Sequence, residues 1–149
     1  MGGGPKGMYR GSVTMPSVSD LLDEWAAFWS SHDMDGVTAL FTDDCTYEDV
    51  TLGVVNHGKE ELRQFGSGFL AAMPDVEFRL NSKVAGQDRA ALEWTMTGTQ
   101  TGPLGDLPAT GKSCTVRGSS VLELRNGLFS RCSDYWDMMT LLKQLGHVT

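Results

Sequence analysis

The hydrophobic period of this chain shifts from helical to alternating near Pro74, and that shift limits the fold classes open to it. Apart from residues 45–50, the apolar residues up to Met73 recur at helical spacing, whereas from Val76 to Trp136 they fall mainly on every second position. Pro16-Ser17-Val18-Ser19 starts a first helix, with Asp20, Asp23 and Glu24 suited to its positive end. Leu21, Leu22, Trp25, Phe28 and Trp29 follow on one apolar stripe, and the turn-spaced Trp25 and Trp29 are expected in the core. Asp33 is placed to cap a shorter second helix carrying Val37, Leu40 and Phe41. A third helix follows His57-Gly58, presents Leu62, Phe65, Phe69, Leu70 and Met73 on one face, and stops at Pro74.

Residues 45–50 form a short strand between the second and third helices. Beyond Val76, Phe78 and Leu80 continue the alternation, Gly86-Gln87-Asp88 turns, and residues 90–98 return as a strand. Residues 102–111 contain Pro103, Gly105, Pro108 and Gly111 and must form a loop. Residues 113–124 and 128–136 are two further strands around Arg125-Asn126-Gly127, and Asp137 caps a last helix that ends at Gly146. Helices first, then a meander, then a helix predicts an α+β fold. Its expected form is a cone-shaped barrel of a curved, mostly antiparallel sheet with helices packed over the concave face and a cavity between them.

The length of 149 residues suits one domain. Residues 1–14 are rich in Gly and lack periodicity, so they read as a tag or leader, with a start near Met15 and a single domain over 15–149. Twelve Lys and Arg against 19 Asp and Glu give a net charge of −7, with no basic stripe, which excludes a nucleic-acid partner. No apolar run is long enough to span a bilayer, so no membrane association is expected. The widely spaced Cys45, Cys114 and Cys132 fit neither a disulfide framework nor a paired zinc motif and read as buried thiols in a reducing cytoplasm. His32, His57 and His147 lack metal-ligand spacing and are expected at helix ends or on the surface, so no metal is predicted. No phosphate-binding glycine motif occurs, and no cofactor is predicted.

The last hairpin decides which side chains face the cavity. A two-residue turn at Asn126-Gly127 would put Ser133 and Tyr135 on the face of Leu122 and Leu124. A three-residue loop would instead pair Leu124 with Leu128 and put Cys132, Asp134 and Trp136 on that face, together with Val116, Gly118 and Ser120. We expect the second, with Asp134 opposite the space left by Gly118. On residues 45–50 the same alternation groups Cys45, Tyr47 and Asp49, and on 90–98 it groups Leu92, Trp94 and Met96. The expected cavity is walled by Trp94, Met96, Trp136, Phe69, Met73, Val116 and Gly118, with Tyr47, Asp49 and Asp134 as its strongly polar groups. Two neighbouring buried acids can split their proton affinities into a base and a donor. Against this, Asp49 could be a turn former at the rim, Tyr47 a wall residue, and Asp137 is expected to act as a helix cap.

Tyr47-Glu48-Asp49, Ala109-Thr110-Gly111-Lys112-Ser113 and Asp134-Tyr135-Trp136-Asp137 resemble landmarks of limonene-1,2-epoxide hydrolase. The run from Thr97-Gly98-Thr99-Gln100-Thr101-Gly102-Pro103 to Lys112, and the Leu-Leu-x-Gln-Leu-Gly ending at Gly146, are similar to SnoaL-like polyketide cyclases. Both belong to the nuclear-transport-factor-2-like superfamily, which also holds ketosteroid isomerase. The hydrolase resemblance implies that Tyr47 and Asp49 stand where a Tyr-x-Asn pair holds water, and Asp134 where a catalytic acid lies. Its Arg-x-Asp is replaced here by Trp94 and Met96, and Gln100 stands where cyclase relatives often have histidine. The resemblance implies a cofactor-independent isomerase or cyclase acting on a small hydrophobic molecule. In that role Asp134 would be the acid–base group, Asp49 a second acid and Tyr47 an oxyanion donor. An epoxide hydrolase and a non-catalytic hydrophobic-ligand carrier are the alternatives. Relatives commonly pair through the uncovered sheet face, so a homodimer is expected, with Thr115, Arg117, Ser119, Val121 and Glu123 at the interface.

Overall fold

The computed structural model describes residues 16–149, so the tag-like segment 1–14 and a start at Met15 lie outside the described residues. The elements are α1 (Val18–Ser30), α2 (Met34–Ala39), β1 (Phe41–Asp49), β2 (Val54–His57), α3 (Gly58–Ala72), β3 (Glu77–Ala85), β4 (Arg89–Thr99), β5 (Ser113–Arg125), β6 (Leu128–Trp136) and α4 (Met138–Leu145). The fold is α+β, as expected. None of the helices among the described residues is long and apolar enough to cross a membrane.

The helices begin on the chemistry that their sequences carry. Ser17 and Asp20 form a reciprocal capping box at α1, the Ser17 hydroxyl accepting from Asp20 N at 3.0 Å and the Asp20 carboxylate from Ser17 N at 3.3 Å. Asp33 caps α2 through Gly36 N at 2.8 Å, and Asp137 caps α4 through Thr140 N at 3.0 Å. At α3 the His57 ring is exposed and makes no cap; Glu61 reaches back instead to accept from His57 N at 2.7 Å.

The six strands make one open, curved sheet in the order β2-β1-β6-β5-β4-β3, with β1 and β6 parallel and all other neighbours antiparallel. α1 packs on β3, α3 on β1 and α4 on β5, leaving a cavity between these helices and the sheet. Two elements depart from expectation. Phe41 opens β1 rather than closing α2, because it pairs in register with Phe129 of β6 and stacks edge-on against it at 5.5 Å. β2 was not anticipated: it is an edge strand in which only Asn56 is buried, so it has no alternating apolar face to betray it.

The hairpin between β5 and β6 also differs. Asn126 and Gly127 both have positive φ (55° and 80°), which makes the tight two-residue turn that pairs Arg125 with Leu128. That turn alone would point Asp134 away from the core. A β-bulge at Ser130 adds one residue between the Leu124–Phe129 and Glu123–Arg131 pairs, and the Ser130 hydroxyl donates to Glu123 O at 3.2 Å. The extra residue reverses the parity, so Cys132, Asp134 and Trp136 regain the face of Leu122 and Leu124, with Asp134 opposite Ser120 rather than Gly118.

Gly118 sits opposite Trp136 and beneath the Trp94 indole, where an added Cβ would lie 2.3 Å from the ring. It therefore seats Trp94 and does not wall the cavity, correcting the sequence expectation. The indole cannot easily yield, because it packs against Phe78 at 5.2 Å and Trp25 at 6.5 Å. Gly118→Ala should cost about 1–3 kcal/mol in urea denaturation, and most of that loss should disappear in a Trp94→Phe background. Wild-type stability of the single variant would mean that the indole swings aside freely.

Candidate active site

A cavity of about 500 Å³ lies between α1, α3, α4 and the concave face of the sheet. This falls within the range of small-molecule sites. Its wall includes Trp94, Met96, Val116 and Trp136 from the sheet, and Phe69 and Met73 from α3 and its end. Trp25 and Trp29, assigned only to the core, also face it. Their indole nitrogens are enclosed without a hydrogen-bond partner, so both rings serve as packing surface. The rim comes from Pro103, Leu104, Gly105 and Leu107 of the loop after β4, and α4 contributes Met138, Leu141 and Leu142.

Two carboxylates interrupt this surface. Asp49 ends β1 and Asp134 lies beside it in register on β6, with fractional exposures of 5% and 7%. Asp134 is held by donors from three strands. Its Oδ1 accepts from Ser120 Oγ of β5 at 2.6 Å and from Cys132 Sγ of β6 at 3.3 Å, and its Oδ2 accepts a short hydrogen bond from the Tyr47 hydroxyl of β1. Ser120 Oγ in turn accepts from Trp94 Nε1 at 3.0 Å. Asp49 is held separately: Trp136 Nε1 donates to both of its oxygens at 3.0 and 3.1 Å, and Leu52 N donates to Oδ1 at 2.9 Å.

Burial sets the electrostatics of the site. It pushes Asp134 up to about 6, helped by the charge of Asp49 and opposed by the bonds from Ser120, Tyr47 and Cys132. Burial also raises Asp49, against the stabilising donors Trp136, Leu52 and Thr51. The Tyr47 phenol and the Cys132 thiol are both driven well above their ordinary values, by burial first and then by the Asp134 charge. Both therefore stay protonated and act as donors. Neither acid takes part in a salt bridge among the described residues.

These contacts revise one sequence expectation. The Tyr47 hydroxyl was expected to donate to a developing oxyanion, but its single proton is directed at Asp134. Ser120 was placed on the cavity face by alternation but given no role, because a serine on an inward face carries no signal until its partner is known. Gln100 is fully buried and binds the loop that forms the rim, donating from Nε2 to Leu107 O at 3.1 Å while its backbone pairs with Lys112 and Gly111. His147 is half-buried rather than superficial, and its Nε2 meets Gln100 Oε1 at 2.9 Å. All three cysteines are buried.

Comparison with known proteins agrees with this architecture. TsrD from Streptomyces laurentii superposes with a TM-score of 0.79 at 24% identity, over 88% of this chain and 96% of that one. AclR from Streptomyces galilaeus gives 0.78 at 24% identity, over 91% and 89%. A Catenulispora acidiphila protein of ketosteroid isomerase-like fold, in complex with trimethylamine, gives 0.77 at 21% identity, over 87% and 95%. No functionally curated protein matches the sequence significantly. The sequence pattern of SnoaL-like polyketide cyclases matches residues 19–145, which is most of the chain. On that match, and on the open sheet and helix-covered cavity that accompany it, the protein belongs to the SnoaL-like polyketide cyclase family.

Proposed function

We propose that this protein is a cofactor-independent enzyme that moves protons on a small, largely hydrophobic molecule, in an isomerisation or cyclisation. The observation that carries the reading is Asp134: a carboxylic acid sunk in an apolar cavity wall, poised at about 6 and free of any cationic partner among the described residues. A group with that affinity exchanges its proton near neutral pH, which suits a general acid or base. Asp49, raised by burial and next to it in register, is the second acid. Tyr47 and Ser120 position and tune Asp134.

Epoxide hydrolysis fits less well. It needs Tyr47 and Asp49 to hold a water between them, whereas Tyr47 is bonded to Asp134 and Asp49 to Trp136. A carrier of hydrophobic ligands would use the same walls without chemistry, and the two readings separate on turnover. Enone-, styrene- and limonene-type compounds would be screened by thermal shift and by product formation, with stabilisation lacking any product pointing to the carrier. For a substrate so found, Asp134→Asn should lower turnover by about 10²–10⁴-fold while ligand-induced stabilisation persists. A fully active variant would remove Asp134 from the mechanism.

The same acid makes stability depend on pH. The folded protein holds the Asp134 proton more tightly than the unfolded chain, whose carboxyl keeps the ordinary 3.8. Stability from this group is therefore full below 3.8 and is lost as pH rises through about 6. The ionised acid then costs on the order of 3 kcal/mol at neutral pH. Urea melts of wild type and Asp134→Asn across this window should show the wild type losing ground to the variant as pH rises. Parallel curves would show that Asp134 is not perturbed.

We also propose a homodimer through the convex sheet face. There Thr115, Arg117, Val121 and Tyr135 are exposed and Ser119 and Glu123 are half-buried in the single chain. Sedimentation at about 10 μM, an ordinary affinity range, should give a dimer, and Val121→Glu should dissociate it. A wild-type monomer at that concentration would remove the proposal.

A further inference from the structure

The side chains around the cavity differ sharply in what they can offer a ligand. Among the described residues no Lys, Arg or His borders it, while two carboxylates do. The polar hydrogens that could have faced the interior are already committed: Tyr47 OH to Asp134, Trp94 Nε1 to Ser120, and Trp136 Nε1 to Asp49. The indole nitrogens of Trp25 and Trp29 are enclosed in the surrounding packing, and Gln64, at the exposed end, donates to Glu60. Among side chains, the interior is thus rich in acceptors and poor in donors. A carboxylate has room for about four hydrogen bonds, and Asp134 receives three. Capacity remains for a ligand's own N–H groups.

Charge leads the same way. Hydrogen bonds partly satisfy the oxygens of Asp49 and Asp134 but do not neutralise them, and buried charge without a counter-charge is unfavourable. A neutral ligand leaves this imbalance in place, and an anionic one adds repulsion. A cation removes it. The remaining walls suit a cation as well, because aromatic faces attract positive charge through the ring quadrupole, and Trp29, Phe65, Phe69 and Phe78 join the tryptophans of the sheet around the cavity.

We propose that the cavity takes a hydrophobic molecule bearing a protonated amine, its nitrogen against Asp49 and Asp134 and its apolar body against the aromatic walls. This rests on the reading of the cavity as the working site and adds the substrate class: a species that carries positive charge, in place of an enolate-like anion, for which no side-chain donor among the described residues is exposed in the cavity's interior.

The test uses one skeleton with three head groups: 2-naphthylmethylamine, 2-naphthylmethanol and 2-naphthoate, titrated into the full-length protein at pH 7.5 by calorimetry. The amine should bind at least about ten-fold more tightly than the alcohol, one decade of affinity being a modest gain for a desolvated cation. The carboxylate should bind more weakly than either. In Asp49→Asn and in Asp134→Asn the amine-to-alcohol ratio should fall toward one. Equal or tighter binding of the alcohol or carboxylate by wild type overturns the proposal, as does failure of all three to bind or a ratio that survives both substitutions. The wild-type comparison stands even if a variant does not fold. No amine preference, with enone turnover that is lost in Asp134→Asn, would refute this inference and leave the proton-transfer reading standing. A clear amine preference with full turnover in Asp134→Asn would do the reverse.

Discussion

The carboxylate of Asp134 is buried among aromatic and aliphatic side chains, and its tolerance there depends on two hydroxyls and a thiol brought from three neighbouring strands. Moving a carboxylate out of water costs several kcal/mol even after relaxation. Hydrogen bonds to a charged acceptor return about 1.5–3 kcal/mol each, so the Tyr47 and Ser120 hydroxyls offset much of that cost without abolishing it. The near balance is why the acid is poised around 6 instead of being firmly ionised or firmly neutral. It also links the fold to the site. β1, β6 and β5 must run side by side for Tyr47, Asp134 and Ser120 to meet, and the parallel β1–β6 pairing is what brings Asp49 alongside.

The inward face of Asp134 was legible in the sequence, but through a mechanism that was not. Alternation along 113–124 and 128–136, with an apolar partner sought for Leu124, placed Cys132, Asp134 and Trp136 inward by way of a three-residue loop. The chain instead makes the tight Asn126-Gly127 turn and corrects the parity with a bulge at Ser130. The two routes give the same face but pair Asp134 with different residues, and only the second brings Ser120 to it. A bulge of this kind is stabilised by one side chain-to-carbonyl bond. A serine in a strand does not announce such a bond, so period-two reasoning could recover the face and not the register.

Helices were easier to place than edges for a related reason. α1, α2 and α4 carry capping side chains at the residues where the helices start, so local chemistry alone marks their beginnings. β2 has no such marker, because it owes its place to hydrogen bonds with β1 and exposes Val54 and Val55. The Gln100–His147 contact is invisible for a different reason: it joins residues 47 positions apart, across the end of α4 and the base of the rim loop. A buried glutamine where relatives often have histidine could be taken as a lost catalytic group. Its bonds to Leu107 O and His147 give it the work of an anchor for the loop that forms the cavity's rim.

Trp94 shows how tightly packing and chemistry are joined here. Its ring lies over Gly118, faces the cavity, and gives its only polar hydrogen to Ser120. Because an indole nitrogen can only donate, Ser120 must accept there, and its single proton is then left for Asp134. A wall residue thus sets the direction of a hydrogen bond to the acid that it does not itself touch. The same logic applies to Trp136, which shapes the wall while its indole holds Asp49. With Tyr47 committed as well, the protons of Tyr47, Ser120 and Trp136 point toward the carboxylates and not into the space that a ligand would fill. A wall built in this way stabilises negative charge on the protein and leaves positive charge to be supplied by what it binds.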